Sequence, residues 1–313
     1  SQSRGLGDVY KRQIILGAII FNILKNLNIN FIEKFSSILM VFITTTLFLV
    51  LTYGIVVGGS RRWIDLGIVN FQPSELAKPL IILWVAKQIS NDITEDTDLK
   101  KFVRSIFLPL LCAFLVLLEP DYGTFASICF ILFSQIFFSK IKIIYPSLTI
   151  FASILPLYFV ATSSEYRLSR IETWLSRKCD YGVDLLGDCF QLNQSRIAIS
   201  SGGLFGLGPG TSRARWGSLP NSYSDFISSI IGEEYGFFGL FLLVLAFFIL
   251  ISTTFLIAIR EKNEIKKLIS VGFGSWIFFQ TVINLGGAVG IVPITGIVLP
   301  FVSYGSSAMI SIF

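Results

Sequence analysis

Runs of about twenty apolar residues, joined by short polar links, recur along the chain, and no soluble domain has interior enough to hide them all. A bilayer core of about 30 Å is crossed by roughly 20 apolar residues in a helix. On that measure the spans are 36–57, 73–90, 103–118, 122–138, 142–161, 236–259, 268–290 and 297–313, with Ile14 to Leu24 as part of one more. Composition agrees. Of 313 residues 53% are hydrophobic and 14% charged, against about 25% charged in soluble domains, and the mean hydropathy is +0.73. The expected fold class is an all-α polytopic membrane bundle of about eight and a half spans. There is no His, which excludes a Ser-His or Cys-His nucleophile pair and any His-ligated metal.

Residues 1–13, SQSRGLGDVYKRQ, are polar and have neither the apolar core nor the cleavage pattern of a signal peptide. Asp8 to Gln13 resembles a translated adapter end, so the tail is expected to be non-native and the protein proper to be 14–313. The apolar segments at Ile14 and Phe313 look cut, as in a piece of a longer protein.

Lys and Arg in the short links set the orientation. One alternating set holds 12, among them Lys25, Lys87, Arg104, Lys140 and Lys267, and the opposite short links hold only Arg61 and Arg62. The rich side is cytoplasmic. Gly58 to Gln72, the turn at Glu119 to Asp121 and the long segment 162–235 then lie outside. A segment that long is rarely idle, and its apolar positions, including Trp174, Ile197, Leu204 and Phe205, suggest that it folds back onto the membrane surface. Cys179 and Cys189 fall within it, in a disulfide-permissive compartment, and are expected to be bridged.

Ionisable groups in or beside spans are functional candidates. Glu75 and Lys78, three apart behind Pro73, share a helix face. They read equally well as an ion pair at the interface or as the lining of a cavity for an anionic headgroup. Glu119-Pro120-Asp121 separates two spans; turn chemistry accounts for Pro120 and Asp121, less easily for Glu119. Arg61, Arg62 and Trp63 follow Gly58-Gly59-Ser60 at an outer boundary. An interfacial Trp is ordinary, but two Arg on the disfavoured side suit a phosphate or pyrophosphate ligand. Asp225 is an isolated acid before a helical pattern and reads as an N-cap, with Glu233 and Glu234 two turns on giving an acidic outer mouth. The Gly-rich stretch Gly202 to Gly210 lacks the features of a phosphate loop and reads as close backbone packing.

Taken in order, GGSRRWIDLG, FQPSELAK, EPDYGT, YRLSRI, QLNQSRIAISSGGLFGLGPG, LPNSYSDFISSIIGEEYGFFG and INLGGAVGIVPITGIVLPFVSYGSS resemble the SEDS family of shape, elongation, division and sporulation proteins across 14–313, the division branch before the elongation branch. The resemblance implies ten helices in the family. It also implies a peptidoglycan glycosyltransferase at the outer face of the bacterial cytoplasmic (inner) membrane that polymerises lipid II in cell division and cell wall biogenesis. Its partners would be a class B penicillin-binding protein as crosslinking transpeptidase and other divisome proteins, with no nucleic acid. The family's essential acid falls on Asp225, its outer-loop Trp on Trp63, and its QPSE-x-x-K pair on Glu75 and Lys78. The acid's motif departs here at Asn221, Tyr223 and Ser224, and the usual SYGGSS is Ser303 to Ser307 with Ser306 for Gly.

The implied reaction joins an acceptor sugar hydroxyl to a donor anomeric carbon as polyprenyl pyrophosphate leaves, an inverting displacement. It needs a base, for which Asp225 is the candidate, and positive charge for the leaving group. Arg61, Arg62, Lys78, Arg196, Arg213 and Arg215 are the candidates for that charge, and Glu75, Glu119 and Asp121 complete the expected substrate-binding set. The sequence identifies no cofactor; a divalent cation, Mg or Mn, could share the leaving-group charge, and Asp225 and Glu75 would suit it. A flippase or secondary transporter for a lipid-linked precursor is the alternative, with a non-catalytic scaffold as a third class. Polar candidates clustered at one face favour the enzyme.

Overall fold

The structure, a computed structural model, describes residues 17, 19, 22, 29–57, 60–65, 70–92, 99–142, 144–162, 172, 174–176, 179 and 189–312. The expected non-native tail 1–13 lies outside them. The elements are α1 (Ile29–Tyr53), β1 (Ile55–Val57), β2 (Ser60–Asp65), β3 (Asn70–Phe71), α2 (Pro73–Asp92), α3 (Leu99–Leu118), α4 (Tyr122–Phe137), α5 (Ile144–Thr162), α6 (Phe190–Ser201), a 3-10 turn (Ala214–Trp216), α7 (Ile227–Arg260), α8 (Glu264–Val289) and α9 (Ser306–Ile312).

The fold is a multi-spanning all-α bundle with one small sheet, and four described helices are long and apolar enough to cross a membrane: α1 from Lys34, α3, α7 and α8. Helix α2 has the length, but its charged residues keep it out of that set; α4 and the described apolar stretch of α5 are shorter. Three boundaries differ from the sequence expectation. The first span ends at Tyr53, and 55–57 form a strand instead. A helical stretch begins at Ile227, inside the segment expected to be a loop up to 235, and breaks at Gly236, where the expected span starts. The expected span 297–313 is helical only from Ser306, because Pro300 cannot donate a helical N–H and Phe301 takes a positive φ of 60.

The chain divides into two compact units. The first comprises residues 1–153, 253–277 and 304–313. Its core joins Ile82, Ile131 and Trp276, flanked by Ile269, Phe273 and Ile312. Gly272 permits this packing, since a Cβ there would lie 2.7 Å from the Ile82 side chain. Buried Gln135 crosses between helices, its Nε2 donating to the Ile82 and Leu268 carbonyls at 3.0 and 3.1 Å. Pro109 inside α3 has no N–H, so the Ser105 carbonyl one turn earlier loses its helical donor. The Trp84 indole replaces it at 3.2 Å. The sheet pairs Ile55 with Trp63 and Ile64 with Phe71, both antiparallel, and so carries Arg61, Arg62 and Trp63 on one strand. The second unit comprises 154–252 and 278–303, with a core of Ala198, Ala214, Leu219, Phe226 and Ala288.

Candidate active site

Asp225 ends a turn-rich segment whose amides close on one carbonyl: the N–H groups of Ser224 and Asp225 donate to Asn221 O at 3.2 and 3.0 Å. Phe226, buried in the core of the second unit, anchors the segment. Two side chains then pin the main chain beside the acid. Asn284 of α8 donates Nδ2 to the carbonyls of Asp225 at 2.9 Å and Ile297 at 2.8 Å. Ser303 donates to the Ser224 carbonyl at 2.5 Å and accepts from the Leu299 N–H at 2.8 Å. The half-buried carboxylate lies beside Gly296, where a Cβ would come 3.7 Å from Asp225 Oδ2.

The basic candidates of this unit are held near helix ends. Glu233 is buried and accepts from Ser212 Oγ at 2.6 Å and from the Arg213 and Ala214 amides at 3.0 and 3.2 Å, which fixes the 3-10 turn. That turn displays Arg213 to solvent and sets Arg215 4.0 Å from Glu234 and 3.4 Å from the Tyr223 hydroxyl. Arg196 donates Nε to the Val289 carbonyl at 3.0 Å, at the end of α8, where cationic groups are favoured. Ser195 links the same region, donating to Ala288 O at 2.6 Å with Ser229 Oγ 2.7 Å away. Cys179 and Cys189 are joined as a disulfide, Cα to Cα 5.3 Å.

In the first unit, Arg62 is drawn into the turn between α3 and α4. It donates to the Glu119 carbonyl at 3.2 Å and to the Pro120 carbonyl, and sits 3.9 Å from Asp121 Oδ1. Asp121 caps α4, accepting from the Thr124 amide at 3.2 Å, and also accepts from Gln72 at 3.2 Å. Glu119 is 0% exposed, and among the described residues neither carboxylate oxygen has a hydrogen-bond donor. Burial, reinforced by the Asp121 charge and only partly offset by Arg62, pushes its carboxyl up to about 9. Arg61 is exposed, 3.4 Å from the Thr52 carbonyl, and Trp63 is half-buried. Glu75 and Lys78 make a closed pair at 2.7 Å, with Lys78 0% exposed and its ammonium 5.0 Å from the Trp276 ring centre. Among the described residues no three Asp, Glu or Cys side chains group in a way that would hold a metal ion.

The family model described as "Cell cycle protein", FtsW/RodA/SpoVE, matches residues 9–313. The chain belongs to the FtsW/RodA/SpoVE family. Among its FtsW relatives, the probable peptidoglycan glycosyltransferase FtsW of Buchnera aphidicola subsp. Schizaphis graminum is 34% identical over 308 residues, covering 96% of this chain and 86% of that one. The protein of the same name from Tolumonas auensis is 33% identical over 284 residues, covering 90% and 73%. Solved structures agree on the fold of this FtsW/RodA/SpoVE protein. A chain from a study of polymerization and crosslinking by a peptidoglycan synthase complex superposes with a TM-score of 0.78 at 27% identity, covering 98% of this chain and 85% of that one. The rod shape determining protein RodA of Thermus thermophilus gives 0.70 at 26% identity, covering 96% and 82%.

Asn284, Ser303 and Gly296 were not singled out as site residues from sequence, nor was the capping role of Glu233. A lone Asn inside the apolar run 268–290 was the available signal, because a polar side chain at membrane depth needs a partner.

Proposed function

We propose that this protein is a peptidoglycan glycosyltransferase that polymerises lipid II at the outer face of the cytoplasmic membrane during cell division. Family membership and the names of the relatives support the reaction class. The observation that carries the site is the doubly pinned main chain at 224–225, which holds one half-buried carboxylate beside a residue without a side chain. A general base must come within about 2.6–3.2 Å of the proton it removes, and a carboxylate on a fixed backbone suits that demand.

In this reading Asp225 takes the proton of the acceptor hydroxyl as the oxygen bonds to the anomeric carbon. The bond from that carbon to the polyprenyl pyrophosphate breaks on the opposite side, so the configuration inverts. Arg213 and Arg215, set by Glu233 and Glu234, supply charge for the leaving group together with Arg196. The charges of Arg62 and Lys78 are already engaged, at the α3–α4 turn and with Glu75. Orientation with the site outside rests on the 12 to 2 split of basic residues in the short links. Likeness to a chain of a peptidoglycan synthase complex supports a class B penicillin-binding protein as partner.

The test is conversion of lipid II to glycan strands by the purified protein with its transpeptidase partner in detergent micelles, where transport leaves no product. Strands are expected. Failure to form any, from folded protein, removes the enzymatic reading.

A further inference from the structure

Helix α7 breaks its regular path at Gly236, with φ 67 and ψ −160. Such a break frees main-chain groups on both sides of it. The loop 203–208 meets four of them. Leu207 and Gly208 donate their N–H groups to the Glu233 and Glu234 carbonyls, each at 3.0 Å, and the Phe237 and Phe238 N–H groups donate to the Gly203 and Leu204 carbonyls at 2.9 and 3.2 Å. Only glycine allows so close an approach: a Cβ on Gly206 would strike the Glu234 carbonyl, and one on Gly236 the Gly206 amide. The loop and the kink are therefore one unit, with their hydrogen bonds closed on each other. Irregular backbone near lipid requires that closure.

The side chains of this unit are arranged the opposite way from those of a solvated loop. Leu204, Phe205 and Leu207 are 62%, 79% and 50% exposed. Phe205 stacks on Phe238 at 5.2 Å, and Phe237 stacks on Phe241 at 6.2 Å, so the loop's apolar tip continues the wall of the helix. That wall is apolar and uncovered, only 6% buried along the apolar stretch of α7, as expected of a helix face turned to lipid. On the other side of the kink the character reverses. Glu233 and Glu234 are buried beneath the 3-10 turn, and Trp216, 69% exposed, carries the Arg215 guanidinium 5.7 Å from its ring centre. An apolar tip next to a Trp-Arg pair is the sequence of polarity met on passing from acyl chains to headgroups.

We infer that residues 204–207 form a wedge seated in the bilayer at the boundary of acyl chains and headgroups, with Trp216 and Arg215 at headgroup level. The occupant of the exposed face is bulk lipid. Continuity with the lipid-facing side of α7 decides this, and the inference does not depend on the role of Asp225.

The experiment places a nitroxide at Phe205→Cys and, separately, Leu204→Cys, with Cys112 and Cys129 replaced by serine, in full-length protein reconstituted in phosphatidylcholine vesicles. Ser218→Cys serves as the aqueous reference. Relaxation by oxygen is expected to exceed relaxation by a nickel chelate at 204 and 205, with the reverse at 218. A chelate-dominated signal at 204 and 205 overturns the inference. So does shielding from both reagents, which would mean protein covers the face. Phe205→Trp in the otherwise native chain gives an independent reading: its added fluorescence is quenched by lipids brominated near the carbonyl end, and no quenching overturns the wedge.

Discussion

Asn284 reaches from α8 to the main chain of Asp225, donating to its carbonyl at 2.9 Å, and the same Nδ2 donates to Ile297 at 2.8 Å. One amide thus ties the end of the 219–226 turn to the irregular stretch that follows α8. The position of the acid is set through its backbone.

Asn284→Ala removes both donations and leaves carbonyls unsatisfied, which costs about 1–3 kcal/mol. Because Asn284 acts on the placement of the acid, kcat for lipid II polymerisation is expected to fall by about tenfold or more with KM little changed. Initial rates across lipid II concentrations check this. An unchanged kcat would remove the positioning role.

Glu119 predicts a pH dependence. Its carboxyl, near 4.5 when solvated, is raised by burial to about 9 in the fold, so between those values the folded state holds a proton that the unfolded state has lost. Its contribution to stability is full below about 4.5 and is lost progressively as pH rises to about 9. Glu119→Gln is therefore expected to melt higher than wild type at pH 8, with a smaller gap at pH 5. Thermal unfolding in detergent at the two pH values decides it.

The buried pair of Glu75 and Lys78 predicts an asymmetry. Lys78→Met alone strands a buried carboxylate, and loss of one partner of such a pair costs about 3–5 kcal/mol. The double variant Glu75→Gln with Lys78→Met is expected to recover much of that stability. If the double variant is no better than the single one, Lys78 contributes something other than its pairing with Glu75.

Trp84 and Pro109 should be coupled, since the indole satisfies the Ser105 carbonyl that Pro109 leaves open. Trp84→Phe is expected to cost about 1–3 kcal/mol in the native chain, and clearly less when Pro109 is replaced by Ala and the helix supplies its own donor. A double-mutant cycle on melting midpoints measures the difference.

The apolar spans and the ordered family motifs were legible in the sequence because each is local. What escaped depended on partners far along the chain. Arg62 looked like a free ligand for phosphate, yet its partners lie 57 and 58 residues away in a turn. Gly236, read as the start of a span, is where helical geometry breaks; what escaped was the helical stretch before it, from Ile227, and the 203–208 loop that satisfies the break. The Gly-rich stretch was read as close packing, which holds at Gly202 and Gly206, while at Gly203 and Gly210 a Cβ would meet nothing within 4 Å and positive φ is what calls for glycine. The last span failed for a local reason that its own sequence carried, in Pro300.

The central claim is that Asp225 removes the acceptor proton, and it is met most directly by the single-turnover rate of glycosidic bond formation from lipid II by Asp225→Asn with the transpeptidase partner present. The substitution keeps shape and removes basicity. A general base contributes about 100- to 10,000-fold, so the rate is expected to fall by at least about 100-fold with the protein still folded and still binding lipid II. Glycan output from Asp225→Asn at the wild-type rate would contradict the account.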